Sequence, residues 1–308
     1  MLSVAVITYN QEDYIAQTLD SILSQEHDYK YEIVIGEDNS SDNTKKIIKE
    51  YAAKYPEIIK PLYNNPNKGL IRNYFNVIQH CQGKYIMECA GDDYWLPGKV
   101  KKQIDFMEAN PDVGMCYSKA KFWNERTKQY GKNLIGSDIK SFENLLNNGN
   151  VVPALTVCFR KILLEKYIKD VSPLEKSWLM EDYPMWLYFT HEGKVKFIDD
   201  VTAVYRVLDN SASHNVDVEK QFKFEKNTEE IKCFFSNLYS THYELLADEM
   251  ILFRLYVNLL TKEFSNETAK KVRLFFKCIK KRTLKTCILF LSSYSRVTWY
   301  ALKKIRGV

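Results

Sequence analysis

The stretch Gly83–Pro97, GKYIMECAGDDYWLP, decides how the rest of the chain is read. An apolar run from Tyr85 to Cys89 leads through a glycine into two adjacent acids, Asp92 and Asp93. The pattern is that of a strand delivering two carboxylates to the edge of a sheet, where open α/β sheets bind their ligands. Neighbouring carboxylates repel, so they stay ionised together most easily beside a cation. A hard divalent cation such as Mg²⁺ takes a few carboxylate oxygens and completes its shell with phosphate and water. The competing reading is a polar turn that caps the helix starting near Pro97.

Outward from this point the first half alternates strand and helix. Leu2–Thr8 is a buried strand, and Tyr14, Ile15, Leu19, Ile22 and Leu23 follow at helical spacing. Strands are expected at Tyr31–Gly36, Ile58–Tyr63 and Val113–Ser118, and helices at Asp42–Tyr55, Asn67–Gln82 and Gly98–Ala109. This rhythm predicts an α/β fold, a mostly parallel sheet flanked by helices. The segment from Lys119 to Pro153 is read as strand edges, a loop around Gly131–Gly136 and a short helix near Phe142–Leu146. Lys194–Val207 reads as one or two strands. From residue 216 the pattern is helical, so a catalytic domain of residues 1–215 and a helical region of residues 216–308 are expected. The first strand runs into Thr8-Tyr9-Asn10-Gln11 with neither G-x-G-x-x-G nor a P-loop, which removes most support for dinucleotide or ATP chemistry.

Composition narrows the class. The chain of 308 residues is 45% hydrophobic, as a globular protein should be. No run of 18 apolar residues suggests a spanning helix. The N-terminus lacks the basic and apolar segments of a signal peptide. Seven scattered cysteines without C-x-x-C fit a reduced, cytoplasmic interior. The net charge of +5 conceals an asymmetry: twelve Lys or Arg and no acid follow Glu267, leaving the first 267 residues acidic by seven. The basic residues of 270–306 are interleaved with Leu, Ile and Phe, which suits a helix lying on an anionic membrane surface better than one binding nucleic acid. An amphipathic helix packed on the body is the plainer alternative.

Three further clusters carry potential chemistry. Glu37-Asp38 closes the second strand ahead of Ser41 and Asp42, which are ordinary helix-capping types. A carboxylate at that strand end can accept the N3–H of a pyrimidine. Glu181-Asp182 opens a helix with Pro184 in its first turn, a capping pattern that could equally remove a proton from an acceptor hydroxyl. Tyr205-Arg206 is followed by Ser211–His214; an arginine fork suits phosphate, and an imidazole can ligate a metal. Tyr94 and Trp95 could form an apolar platform for a sugar face, or simply pack.

Taken in order, AVITYN, IGEDNSSDNT, NKGLIRN, CAGDDYW, MEDYPMW and VYRVLDNSASH resemble the motifs of family 2 glycosyltransferases over residues 2–215. The resemblance implies a GT-A fold and inverting transfer of one sugar from a nucleoside-diphosphate sugar, with a UDP-sugar favoured. It implies that Thr8, Tyr9, Glu37, Asp38, Arg72, Asp92 and Arg206 bind the donor. Asp93 and His214 would hold Mg²⁺ or Mn²⁺, and Asp182 would be the general base with Glu181 beside it. The acceptor would be a glycan or lipid-linked glycan of a bacterial surface polysaccharide, and the enzyme cytoplasmic, peripheral to the inner membrane. Glu37 and Asn39 stand where the family often has Asp and Gly, which leaves the nucleotide open. The processive Gln-x-x-Arg-Trp motif is absent. The alternative is a GT-A-like binding module without catalysis.

Overall fold

The computed structural model describes residues 1–208, 217–280 and 282–300. The chain forms two compact units, residues 1–209 and 210–308.

The first unit opens with β1 (Leu2–Thr8), α1 (Ile15–Leu23), β2 (Tyr31–Glu37), α2 (Thr44–Lys54), β3 (Ile59–Tyr63), α3 (Leu70–His80) and β4 (Tyr85–Ala90). It continues through β5 (Tyr94–Trp95), α4 (Lys99–Ala109), β6 (Val113–Asn124), β7 (Gln129–Ile135), α5 (Phe142–Asn148), β8 (Cys158–Arg160), α6 (Lys161–Val171), α7 (Asp182–Glu192) and β9 (Lys194–Val207). The sheet order is β3-β2-β1-β4-β8-β6-β9-β5, with β7 paired to β6. β1, β2, β3 and β4 run parallel. β8 then pairs antiparallel with both β4 and β6.

The strand alternation explains the layers. Leu2, Val4 and Val6 of β1 and Tyr85, Met87 and Cys89 of β4 join one core with Ile15, Leu19 and Ile22 of α1 and Val100, Ile104 and Met107 of α4. Each such aliphatic side chain, fully buried, contributes about 1.5–3 kcal/mol. Helix α3 packs across β1 and β2. It comes so close that a Cβ on Gly36 would lie 2.5 Å from Val77 Cγ2, and Asn73 donates to the Gly36 carbonyl at 2.9 Å.

Two expectations change. Gly131–Gly136 is not a loop: most of it lies in β7, whose residues are almost all exposed, so no apolar alternation betrayed a strand. Trp95 is no sugar platform; it is 2% exposed within the core, with the Lys99 ammonium 4.9 Å from its ring.

The second unit consists, among the described residues, of α8 (Val218–Leu238), α9 (Asp248–Lys262), α10 (Asn266–Cys278) and α11 (Leu284–Leu291). Phe253, Val257 and Leu260 of α9 pack with Ala269, Val272 and Phe276 of α10 and Leu289 of α11. Leu284, Ile288 and Leu291, spaced to share one face of α11, are exposed. No helix of the described residues is long and apolar enough to cross a membrane.

Candidate active site

The parallel register places the ends of β1, β2 and β4 side by side, Thr8 beside Glu37 and Ile7 beside Ala90. Gly91 follows β4 and donates its N–H to the Ile7 carbonyl at 2.9 Å. A Cβ there would lie 2.7 Å from Thr8 Oγ1 and would also strike Gln11 Oε1. Three buried oxygens at this edge, Thr8 Oγ1, Gln11 Oε1 and Glu37 Oε2, have no hydrogen-bond partner among the described residues. Each such atom costs about 1–3 kcal/mol, so their concentration marks a place where a polar ligand is wanted. Tyr9 beside them is half exposed.

Asp38 is 3% exposed. Its carboxylate accepts from Asn64 Nδ2 at 2.8 Å, the Lys68 N–H at 2.8 Å and the Gly69 N–H at 2.9 Å. Gly69 adopts φ +79°, a conformation that favours glycine. A carboxylate offers about four acceptor sites, so these bonds orient Asp38 and leave it able to accept once more. Arg72 lies exposed in the first turn of α3.

Asp93 is 4% exposed, and its Oδ1 accepts the Arg206 backbone N–H at 2.8 Å. Burial first, and then the charge of Asp92, pushes the Asp93 carboxyl well above its usual range. Burial likewise raises Asp92. Thr18 Oγ1 fixes the turn, lying 2.9 Å from the Gly91 carbonyl and 2.6 Å from the Asp93 carbonyl. Among the described residues no three His, Cys, Asp or Glu side chains converge to hold a metal. The Asp92–Asp93 pair fits a cation that takes one or two protein carboxylates and draws its other ligands from substrate phosphate and water. His214 lies outside the described residues.

Arg206, expected to face the donor diphosphate, is committed inside the protein. It is 6% exposed. Its Nε donates to the Asp92 carbonyl at 2.7 Å, one terminal nitrogen to Glu125 Oε2 at 2.8 Å and the other to Gln17 Oε1 at 2.5 Å. The guanidinium also lies 4.7 Å from the Tyr14 ring centre and 5.5 Å from that of Tyr94. Burial pushes the Glu125 carboxyl upward, but hydrogen bonds from Lys128, Arg206 and Trp123 overcome this and hold it at about 2. The ion pair ties the end of β6 to the acidic turn.

Glu181 and Asp182 stand half-buried at the start of α7. Asp182 Oδ2 accepts from Asn150 Nδ2 at 2.8 Å and its Oδ1 from the Tyr183 N–H at 2.6 Å. Desolvation raises both, with the Asp182 charge adding to take Glu181 to about 8. Their field reaches Glu88 of β4. Glu88 is 6% exposed, hydrogen-bonded by the Tyr74 hydroxyl, and pushed well above its usual range chiefly by burial. The sequence reading missed Glu88, although a lone acid inside YIMECA was a visible signal. It also missed Gln11, Gln17, Asn150 and Glu125, polar residues whose roles depend on contacts far along the chain.

The chain belongs to glycosyl transferase family 2, whose sequence model matches residues 3–166. "Uncharacterized protein Rv1520" of Mycobacterium tuberculosis is 38% identical over 117 residues, 38% of this chain and 34% of its own length. The chain thus matches about a third of the length of this relative. "UDP-Glc:alpha-D-GlcNAc-diphosphoundecaprenol beta-1,3-glucosyltransferase WfaP" of Escherichia coli is 28% identical over 219 residues, covering 70% of this chain and 80% of that protein. The structure of S. aureus TarS 1-349 in complex with UDP-GlcNAc superposes with a TM-score of 0.58 at 17% identity, covering 98% of this chain and 87% of that TarS fragment. That likeness confirms the GT-A fold.

Proposed function

We propose that this chain moves one sugar from a nucleoside-diphosphate sugar, UDP-linked in preference, to the hydroxyl of a lipid-linked or surface glycan with inversion at the anomeric carbon. The observation that carries the reading is the set of buried, unpartnered oxygens beside Asp38 and Asp93 at one sheet edge. In this reading Asp38 accepts the N3–H of the base, and Thr8, Tyr9, Gln11, Glu37 and Arg72 line the nucleotide pocket. Asp93 and Asp92 would hold Mg²⁺ or Mn²⁺, which offsets the charge on the departing diphosphate as a Lewis acid. Asp182, oriented by Asn150 and the Tyr183 N–H, takes the proton from the acceptor hydroxyl as it attacks C1. Glu181, raised to about 8, holds a proton through neutral pH and so spares Asp182 a second charge. Arg206 acts by positioning the acidic turn. The alternative, a non-catalytic module, would bind the nucleotide sugar without turning it over.

In the second unit, the exposed Leu284, Ile288 and Leu291 accompany an acid-free, lysine- and arginine-rich sequence. That combination supports contact with an anionic inner leaflet, where each cation contributes about 1 kcal/mol. The functional test is transfer from UDP-glucose or UDP-GlcNAc, with Mn²⁺, to a synthetic GlcNAc-diphosphoprenyl acceptor, read by mass spectrometry. The reading expects product from the wild type and about 10²–10⁴-fold less from Asp182→Asn. Equal turnover by the two proteins would remove Asp182 as the base.

A further inference from the structure

The β6–β7 hairpin and the start of β5 together carry an aromatic ledge. Tyr130 of β7 is 52% exposed, and β7 is exposed along most of its length, so burial does not account for a ring at this position. The ring stands edge-on to that of Trp123 on β6, with 4.9 Å between centres. Its hydroxyl lies 3.1 Å from the hydroxyl of Tyr94, the first residue of β5. Lys121 Nζ lies 5.6 Å from the centre of the Tyr130 ring.

The ledge is held from behind. Glu125 Oε2 accepts from Trp123 Nε1 at 2.8 Å and from Arg206 at 2.8 Å. The Arg206 guanidinium lies 5.5 Å from the centre of the Tyr94 ring. Tyr94, Arg206, Glu125, Trp123 and Tyr130 thus form a circuit that closes through the two tyrosine hydroxyls. A single exposed aromatic needs no explanation, whereas one fixed by its neighbours beside a polar site is a prepared surface. The site is close in the chain: Asp93 immediately precedes Tyr94, and Arg206 Nε donates to the Asp92 carbonyl at 2.7 Å. The sheet order puts β1 and β2 on one side of β4, and β6, β9 and β5 on the other. The acidic turn, which links β4 to β5, therefore has the proposed nucleotide pocket on one side and the ledge on the other.

We propose that this ledge is a subsite for one face of a pyranose ring. A pyranose offers a face of C–H bonds and a rim of hydroxyls. The exposed Tyr130 ring takes the face, while the Tyr94 and Tyr130 hydroxyls and the Lys121 ammonium bond the rim. The sugar can come from two sources, a glycan or the transferred sugar of the nucleotide donor, and the chemistry of the ledge is the same for both. The subsite deepens the proposed function and rests on it only for the source of the sugar, because binding is measured without turnover.

The test has two arms, both on the full chain. In the first, N,N′-diacetylchitobiose and cellobiose are titrated and read by saturation-transfer NMR, with mannitol as the control that has hydroxyls but no ring face. In the second, calorimetry compares UDP-glucose with UDP, both in Mn²⁺. Tyr130→Ala should weaken disaccharide binding, or shrink the preference for UDP-glucose over UDP, by about fivefold or more. Tyr130→Phe, which keeps the ring, should lose less. Lys121→Ala, which leaves the circuit intact, should weaken the same arm. A loss in the first arm assigns the ledge to a glycan, and a loss in the second to the donor's sugar. Wild-type values in both arms for Tyr130→Ala and Lys121→Ala would overturn the subsite, as would a wild type that binds neither disaccharide and prefers UDP-glucose no more than UDP. Mannitol binding as well as the disaccharides would overturn the stacking. Should a disaccharide bind as expected while no nucleotide stabilises the protein, the ledge stands and the donor reading falls.

Discussion

Glu125→Gln tests whether Arg206 is a latch on the acidic turn. The substitution keeps the shape and the acceptor oxygen of residue 125 but removes the countercharge of a guanidinium that is 6% exposed. The Glu125 carboxyl is held at about 2 against an ordinary 4.5. At ~1.4 kcal/mol per pH unit that gap corresponds to about 3 kcal/mol. Its side chain is 18% exposed, so solvent screening reduces the expected loss to about 1–2 kcal/mol. At roughly 2–4 °C per kcal/mol for a unit of this size, the melting temperature should fall by about 2–8 °C at pH 7. The sign with pH follows from the depressed value. The stabilisation is present above about 4.5 and is lost as pH falls toward 2. Melting curves of wild type and variant should therefore draw together progressively as pH falls from 5 toward 2. A second readout separates latch from mere scaffold: the variant should need more Mn²⁺ for half-maximal donor binding, because Asp93 loses the fixed backbone that Arg206 provides. A melting temperature within 1 °C of wild type at pH 7, or a difference that persists unchanged at pH 3, would refute the reasoning.

Other outcomes follow from the same geometry. Asn150→Ala removes a hydrogen bond that favours the charged form of Asp182, so the acidic limb of the kcat/KM profile should move to higher pH; a limb that stays in place would dismiss Asn150 as an orienting group. Glu181→Gln should raise the melting temperature at pH 9 and change it little at pH 5, because a carboxyl whose ordinary value is 4.5 but which the fold holds near 8 destabilises the fold progressively as pH rises from about 4.5 to 8; equal effects at both pH values would contradict this. Gly91→Ala drives a methyl against Thr8 Oγ1 at 2.7 Å and should weaken UDP binding at least tenfold; titration calorimetry showing wild-type affinity would mean that Thr8 and Gln11 do not line the pocket.

The sequence made the left half of the sheet readable because parallel strands buried on both faces appear as continuous apolar runs, as in Leu2–Thr8 and Tyr85–Cys89. It failed at β7, where an exposed strand at the side of β6 carries no alternation. Strand-end acids could be found because they follow directly on those runs. The partners that decide their behaviour could not, because Arg206 meets Asp93 across 113 positions of sequence and Asn150 meets Asp182 across 32. Arg206 shows the limit most clearly. Residue type suggested a phosphate ligand, while the fold surrounds it with Glu125, Gln17, Tyr14 and Tyr94.

The most direct test of the account is calorimetric titration of UDP with and without Mn²⁺ into wild type and Asp93→Ala. Metal-dependent binding by the wild type that disappears in Asp93→Ala, with folding unchanged by circular dichroism, is the predicted result. Binding of equal strength in both proteins, or no binding by the wild type at millimolar UDP and Mn²⁺, would contradict a nucleotide-sugar site built on the acidic pair.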